Sequence, residues 1–365
     1  MEILKKDFMI PNKKKIYIIA EIGVNHNGNL NLAKKMILAA KKSGADAVKF
    51  QNFTANSLTT KNAKKAPYQL KNTKNSQSQY KMLKKLELKL PNYFILKKFA
   101  KKNKIDFFTS IFDKESIDFL KNKLKQKIIK IPSGEITNPL ITENLNIKHY
   151  NLIVSTGMAN LKEISQALNS IIKKKLFKEK NKKIKITNNN LLKKIKKKIT
   201  LLHCVTDYPV GKNFANLNCI KTLSEEFKIP VGYSDHTKGI VAPIIAVSLG
   251  AKMIEKHFTL SNKMSGPDHK ASLEPQEFSK MVKYIRDFEV MSGNGIKELQ
   301  ECERKNIKIA RKSIIAKNFI KKGEKFSTLN LTTKRPGNGL SPLKIKNLIG
   351  KKSRFYFKPD DLIKR

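Results

Sequence analysis

Short apolar, β-branched runs recur along the first 260 positions, and most are separated by stretches in which apolar residues return every three to four positions. Eight runs read as strands: Ile16 to Ala20, Ala47 to Phe50, Asp106 to Phe108, Ile128 to Ile131, Leu152 to Val154, Ile199 to His203, Val231 to Tyr233 and Lys252 to Glu255. The stretch after Asn29 shows the other period. Leu30, Leu32, Met36, Ile37, Ala39 and Ala40 form one apolar face, and Ser43-Gly44 ends it before the next run. Strand alternating with helix predicts a parallel sheet. Eight units in about 285 residues suit a (β/α)8 TIM barrel; a doubly wound sheet is the alternative but does not require eight strands.

Polar residues collect where the runs end. These are Glu21 to Gly28, Lys49 to Gln51, Thr109-Ser110, Lys130 to Glu135, Ser155 to Gly157, His203 to Pro209, Ser234 to Thr237 and His257 to Thr259. A barrel does its chemistry in the loops after its strands, so eight polar segments at the same end predict an enzyme. Residues 172–198 interrupt the pattern with thirteen lysines and three consecutive asparagines, and read as an exposed, mobile insertion between the fifth and sixth strands. The long segment from Asn52 to Lys81 reads as a lid over the active face. From about residue 306 the pattern changes to short strands and tight turns, with Lys322-Gly323 and Pro336-Gly337-Asn338-Gly339 as turn signals. The expected organisation is a catalytic barrel over 1–286, a linker over 287–305 and a small β-rich domain over 306–365.

Composition changes this picture little. The 365 residues are 40% hydrophobic, enough for a large core and too apolar for general disorder. A net charge of +47 invites a nucleic-acid reading, but it comes from seventy lysines and only six arginines spread along the chain. Diffuse ammonium charge lacks the forked donors and the localised stripe that nucleic-acid recognition uses, so no nucleic-acid partner is expected. The excess should draw anionic substrates to the protein. Cys204, Cys219 and Cys302 form neither a disulfide framework nor a CxxC zinc site. No apolar run is long enough for a bilayer span or a signal-peptide core, and the reading is a cytoplasmic protein with no membrane partner.

Taken together, AEIGVNHNG, VKFQ, KIPSGE, STGM, LHCVTDYP, GYSDHT, EKHFT and GPDHKASLEP resemble the bacterial sialic acid synthases, the phosphoenolpyruvate-condensing nonulosonate synthases. KRPGNGLSP in the tail resembles the antifreeze-like (SAF) domain that follows the barrel in that family. Each motif alone is weak; eight in register with the tail are specific. The resemblance implies condensation of phosphoenolpyruvate with the aldehyde of an N-acetylated amino sugar, releasing phosphate and a nine-carbon α-keto acid. The long loop from Lys49 to Gln69 resembles the neuraminate and legionaminate synthases more than the pseudaminate ones, and N-acetylmannosamine, giving N-acetylneuraminate, is the favoured sugar. A 2,4-diacetamido sugar, giving N,N'-diacetyllegionaminate, is the alternative.

The residues have roles to match. His236 and His257 close neighbouring strands, and the resemblance assigns both as ligands of a divalent cation, Mn²⁺ with Mg²⁺ or Co²⁺ as alternatives, which polarises the aldehyde. Lys49 and Lys130 end apolar strands and offer charge to the phosphate and carboxylate, with hydroxyls from Ser110, Ser133, Ser155 and Ser234. Gly134 and Gly157 would let backbone amides approach an anion. Thr206 stands where the family often has a phosphate-binding asparagine, and keeps a donor on a shorter side chain. Glu21 is the candidate to stabilise positive charge developing on the enol carbon; a structural carboxylate is its rival. The resemblance gives Glu135 a role in orienting sugar hydroxyls or moving protons, with Gln51, Tyr208 and Asp268 bonding the sugar. His203 is a candidate lining residue. Arg335 is implied to reach the sugar's N-acetyl group in a neighbouring subunit, hence a homodimer with exchanged small domains. Two other classes compete: an ice- or carbohydrate-binding module, which the lysine-rich tail disfavours, and a pyruvate aldolase using Lys130 as a Schiff-base amine.

Overall fold

The computed structural model describes residues 15–73 and 77–364. Its strands are β1 (Tyr17–Gly23), β2 (Ala47–Asn52), β3 (Asp106–Ile111), β4 (Ile128–Ile131), β5 (Asn151–Ser155), β6 (Phe177–Lys180), β7 (Lys183–Ile186), β8 (Ile199–His203), β9 (Val231–Asp235), β10 (Met253–His257), β11 (Ser313–Ala316) and β12 (Leu331–Lys334). Among the described residues, eight close into a parallel TIM barrel in the order β1-β10-β9-β8-β5-β4-β3-β2. Each of the eight predicted runs lies on one of them. The helix after β1, Leu30–Lys42, is capped by the Asn29 side chain accepting from the Leu32 amide, and buries Ala33, Met36, Ile37 and Ala40.

Strand geometry sets what fills the barrel. Side chains alternate between the interior and the helix layer. Tyr17, Ile19, Ala47, Phe108, Ile128, Ile153, Leu202 and Met253 pack as an apolar plug inside. Large side chains in such a plug contribute about 1.5–3 kcal/mol each by burial. Two residues further along the strands come Glu21, Lys49, Ser110, Lys130, Ser155, Ser234 and Glu255, all buried. Several strands run past their expected ends, so these residues are inward positions of the strands themselves and not members of the loops that follow.

The lysine-rich insertion is a correction. Instead of a mobile excursion, residues 172–198 form the antiparallel hairpin β6–β7 and the helix Asn189–Ile195. Leu176, Phe177, Leu192 and Ile195 are buried, and Phe177 meets Phe227 edge to face at 5.3 Å. The Phe177 carbonyl accepts from Ser165 and Asn169, and Glu226 accepts from the Lys183 amine and the Ile184 amide. A few well-placed apolar residues suffice to dock the segment while its lysines stay in water.

The chain divides into two compact units between Gly293 and Asn294. The last barrel helix, Pro275–Met291, runs past the boundary expected at 286, where Phe288 still packs on the core and Arg286 donates to Glu289. The segment expected as linker also holds the start of the helix Arg304–Ala310. In the second unit β11 pairs with β12, and Ile314, Ala316, Ile320, Phe326, Leu331, Leu348, Phe357 and Ile363 make its core. No helix among the described residues is long and apolar enough to cross a membrane. The first fourteen residues, which include most of the stretch read for a signal peptide, and residues 74–76 of the expected lid lie outside the described residues.

Candidate active site

Above the apolar plug lies a dry electrostatic array. Lys49 Nζ is 2.8 Å from Glu21 Oε2, donates to Ser110 Oγ at 3.0 Å and stands 3.8 Å from Glu255 Oε1. Lys130 Nζ donates to the same Glu255 oxygen at 2.7 Å, as does Ser234 at 2.9 Å. Gln51 donates to Glu21 Oε1 at 3.2 Å. Four charges taken out of water are costly unless they pair, and here two amines face two carboxylates. Burial would raise the Glu255 carboxyl, but Lys130 and Lys49 overcome it and hold the group at about 2. Glu21 is raised, by burial first, against the pull of Lys49. Burial lowers Lys49, but Glu21 and Glu255 outweigh it and its amine is raised; Lys130 is lowered, as burial together with Lys49 exceeds the help from Glu255. The array therefore holds one firmly charged amine and one that gives up its proton more readily.

A second cluster sits where β4, β5 and β8 end. The Gly157 amide donates to Ser133 Oγ at 3.1 Å, and Ser133 Oγ lies 3.0 Å from Cys204 Sγ. A Cβ at Gly157 would stand 2.5 Å from Thr206 Oγ1 and 2.8 Å from Ser133 Oγ, so only glycine lets these loops converge. The Gly157 amide, expected to be free for an anion, is thus engaged with Ser133, and that hydroxyl and Thr206 are the groups left to a ligand. Gly134 has open space about it.

The third cluster holds the histidines. His236 and His257 ring centroids are 5.6 Å apart. His236 Nδ1 is 2.7 Å from the Val205 carbonyl, which can only accept; the proton is therefore on Nδ1 and the Nε2 lone pair is available. His257 Nδ1 is buried with no hydrogen-bond partner. Burial lowers His236 to about 4, and burial with the neighbouring His236 and Lys49 charges lowers His257 well below its usual value. Both rings are neutral at pH 7, the form that binds metal. Among the described residues no three His, Cys, Asp or Glu side chains converge on one point. A pair of neutral imidazoles with open positions fits a catalytic ion that takes substrate and water, and not a closed structural site.

Tyr208 lies over both rings, 4.1 Å from His236 and 5.7 Å from His257 between centroids, and Tyr68 from the long loop packs on Tyr208 at 4.9 Å. That contact supports the lid reading of the segment. Asp268 is buried, and burial plus the Glu21 charge push its carboxyl up to about 7.

Most sequence candidates thus fall into three groups: Glu21, Lys49, Gln51, Ser110, Lys130 and Ser234; then Ser133 and Thr206; then Tyr208, His236 and His257 with Asp268 near by. Ser155 is buried at the end of β5. Glu135 follows β4 on the same face, where it accepts from Asn138 at 2.7 Å and is raised by burial. Arg335, in the second unit, is exposed and donates to the Ala310 carbonyl. His203 is corrected: it faces outward, stacking on Tyr233 at 5.7 Å with Nε2 at 2.8 Å from the Ala215 carbonyl. Sequence reading missed Glu255, counted there only as the end of a strand, although its place two residues before His257 put both on one face. It also missed Tyr68 and Cys204.

A parallel barrel with lysines, carboxylates and a histidine pair at the carboxyl ends of its strands defines the class: an enzyme whose buried amines suit an anionic substrate. A model of the NeuB family matches residues 36–297 and one of the SAF domain matches residues 311–364. The chain belongs to the NeuB family and carries a C-terminal SAF domain. It is 51% identical over 351 residues to N,N'-diacetyllegionaminic acid synthase of Campylobacter jejuni, covering 96% of this chain and 99% of that one. It is 43% identical to the enzyme of the same name from Legionella pneumophila, covering 92% and 89%. Among solved structures, N-acetylneuraminic acid synthetase of Leptospira borgpetersenii in complex with citrate superimposes with a TM-score of 0.67 at 32% identity, covering 84% of this chain and 95% of that one.

Proposed function

We propose that this protein is an N,N'-diacetyllegionaminate synthase, joining phosphoenolpyruvate to the open-chain aldehyde of a 2,4-diacetamido sugar with water and releasing phosphate. The two legionaminate relatives, at 51% and 43% identity, favour this sugar over the N-acetylmannosamine preferred from the loop alone. The observation that carries the chemistry is the buried array of Lys49, Lys130, Glu21 and Glu255 next to two neutral imidazoles.

His236 and His257 would hold a divalent cation, Mn²⁺ by expectation, which when bound withdraws electrons from the aldehyde. Lys49 and Lys130, with Ser110, Ser133, Ser155, Ser234 and Thr206, receive the phosphate and carboxylate of phosphoenolpyruvate. Gln51, Glu135, Tyr208 and Asp268 orient the sugar. Carbon 3 of phosphoenolpyruvate bonds to the aldehyde carbon, whose oxygen gains a proton and becomes a hydroxyl. The carbon bearing the phosphate ester turns cationic, and Glu21 stabilises it at close range in a dry site. Water adds to that carbon, the C–O bond to phosphate breaks, and the water oxygen remains as the new keto oxygen; of the two protons it gives up, one balances the new hydroxyl and the other returns to the amine that protonates the departing phosphate. Lys130, the amine held low, is suited to lend the proton that phosphate takes on departure. Arg335 from a second copy would complete the sugar site in a homodimer with exchanged SAF domains.

Purified protein with Mn²⁺ and phosphoenolpyruvate, given in turn the 2,4-diacetamido sugar and N-acetylmannosamine, tests the proposal by phosphate release. The diacetamido sugar should show the higher kcat/KM. A higher value for N-acetylmannosamine would restore the neuraminate reading, and release of no phosphate with either would end both.

A further inference from the structure

We infer that Asp235 and Lys256, which face away from the substrate, are a positioning pair that sets the spacing of His236 and His257 and so the affinity for the divalent cation. This rests on the metal reading above and adds two residues to it. Asp235 and Lys256 are direct cross-strand partners on β9 and β10, one residue before each histidine. Alternation sends Ser234, His236, Glu255 and His257 into the barrel, and sends Asp235 and Lys256 into the apolar layer between strands and helices. Both side chains are fully buried there, with Lys256 Nζ 2.6 Å from Asp235 Oδ2.

The contacts of the pair converge on one turn. Lys256 Nζ also donates to the Thr237 carbonyl, and Asp235 Oδ1 accepts from the Thr237 amide at 2.8 Å and from Tyr233 Oη at 3.1 Å. The backbone on both sides of His236 is therefore tied to the residue that precedes His257. Tyr233 in turn stacks on the outward-facing His203 ring. For stability alone, a dry ion pair has little to recommend it, since well-packed apolar residues of equal volume are commonly as good or better. What an apolar pair cannot do is hold the Thr237 amide and carbonyl at fixed points, and those points orient the His236 ring relative to His257. Groups that orient metal-binding histidines typically govern metal affinity or activity by about 10–100-fold.

The test compares wild type, Lys256→Met, Lys256→Arg and the apolar double variant Asp235→Leu/Lys256→Met. Mn²⁺ binding is measured by calorimetry without substrates, alongside thermal unfolding and steady-state kinetics at saturating Mn²⁺. Lys256→Met and the double variant should lose about tenfold or more in Mn²⁺ affinity, with the phosphoenolpyruvate KM changed by less than about twofold. Lys256→Arg, which keeps charge and donors, should recover most of the affinity. The double variant should unfold near the wild-type temperature, separating positioning from stability. Wild-type Mn²⁺ affinity in the double variant, or an arginine variant no better than methionine, overturns the inference while leaving the metal reading intact. Failure of both methionine-bearing variants to fold would make the pair an element of stability and overturn it likewise. Absence of Mn²⁺ binding by the wild type would overturn both readings.

Discussion

Glu255→Gln removes one negative charge from the buried set of two lysines and two glutamates with almost no change in shape. In the wild type the Glu255 carboxyl is held at about 2 by Lys130 and Lys49. A carboxylate at about 2 instead of its ordinary 4.5 contributes about 3 kcal/mol to stability at neutral pH. That lies at the low end of the roughly 3–5 kcal/mol measured when a buried ion pair loses one partner. Because the folded value is the lower one, the contribution is complete above about pH 4.5 and disappears as pH falls toward 2. Urea unfolding of both proteins should therefore show a gap of about 3 kcal/mol at pH 7, shrinking to less than half of that near pH 3. Inorganic phosphate should narrow the gap at pH 7, since an anion beside the two amines replaces the missing carboxylate. Identical urea midpoints at pH 7, or a gap that ignores pH, would refute the electrostatic account of the array.

Three further outcomes are expected. His236→Ala should abolish phosphate release and Mn²⁺ binding together, and full turnover at limiting Mn²⁺ would contradict its role as a ligand. Arg335→Ala should raise the KM for the sugar more than that for phosphoenolpyruvate, in the same phosphate assay; equal changes would remove Arg335 from the sugar site. Asp268, raised to about 7, destabilises the ligand-free fold increasingly as pH climbs from about 4 through 7. Asp268→Asn should thus match wild type in urea melts near pH 4 and gain up to about 4 kcal/mol at pH 8; a constant difference would show that the carboxyl is ionised throughout.

Much of this architecture is local and could be read along the chain. A buried strand announces itself by β-branched residues over a few positions, a covering helix by its 3.6-residue period, and both signals survive without knowledge of neighbours. Polar residues at the ends of eight apolar runs therefore pointed to the barrel and to its working face, and the NeuB and SAF matches agree with that. Charge composition was a poorer guide. Thirteen lysines hid the fact that Phe177, Leu192 and Ile195 dock the insertion, because solvated ammonium groups outnumber the few side chains that decide packing.

Residue order alone carried the set of strands, their alternation of faces, and most members of the candidate site. Which charges meet depended on how the chain closes on itself. Glu255 looked like the end of an apolar run because its partners, Lys130 and Lys49, come from strands 125 and 206 residues away along the chain. Lys256 and Asp235 stood out only as members of the EKHFT and GYSDHT motifs, and their pairing depends on β9 and β10 lying side by side in that register. Electrostatic partnership inside a protein is settled by distance in a medium without water, and closing the barrel is what sets that distance.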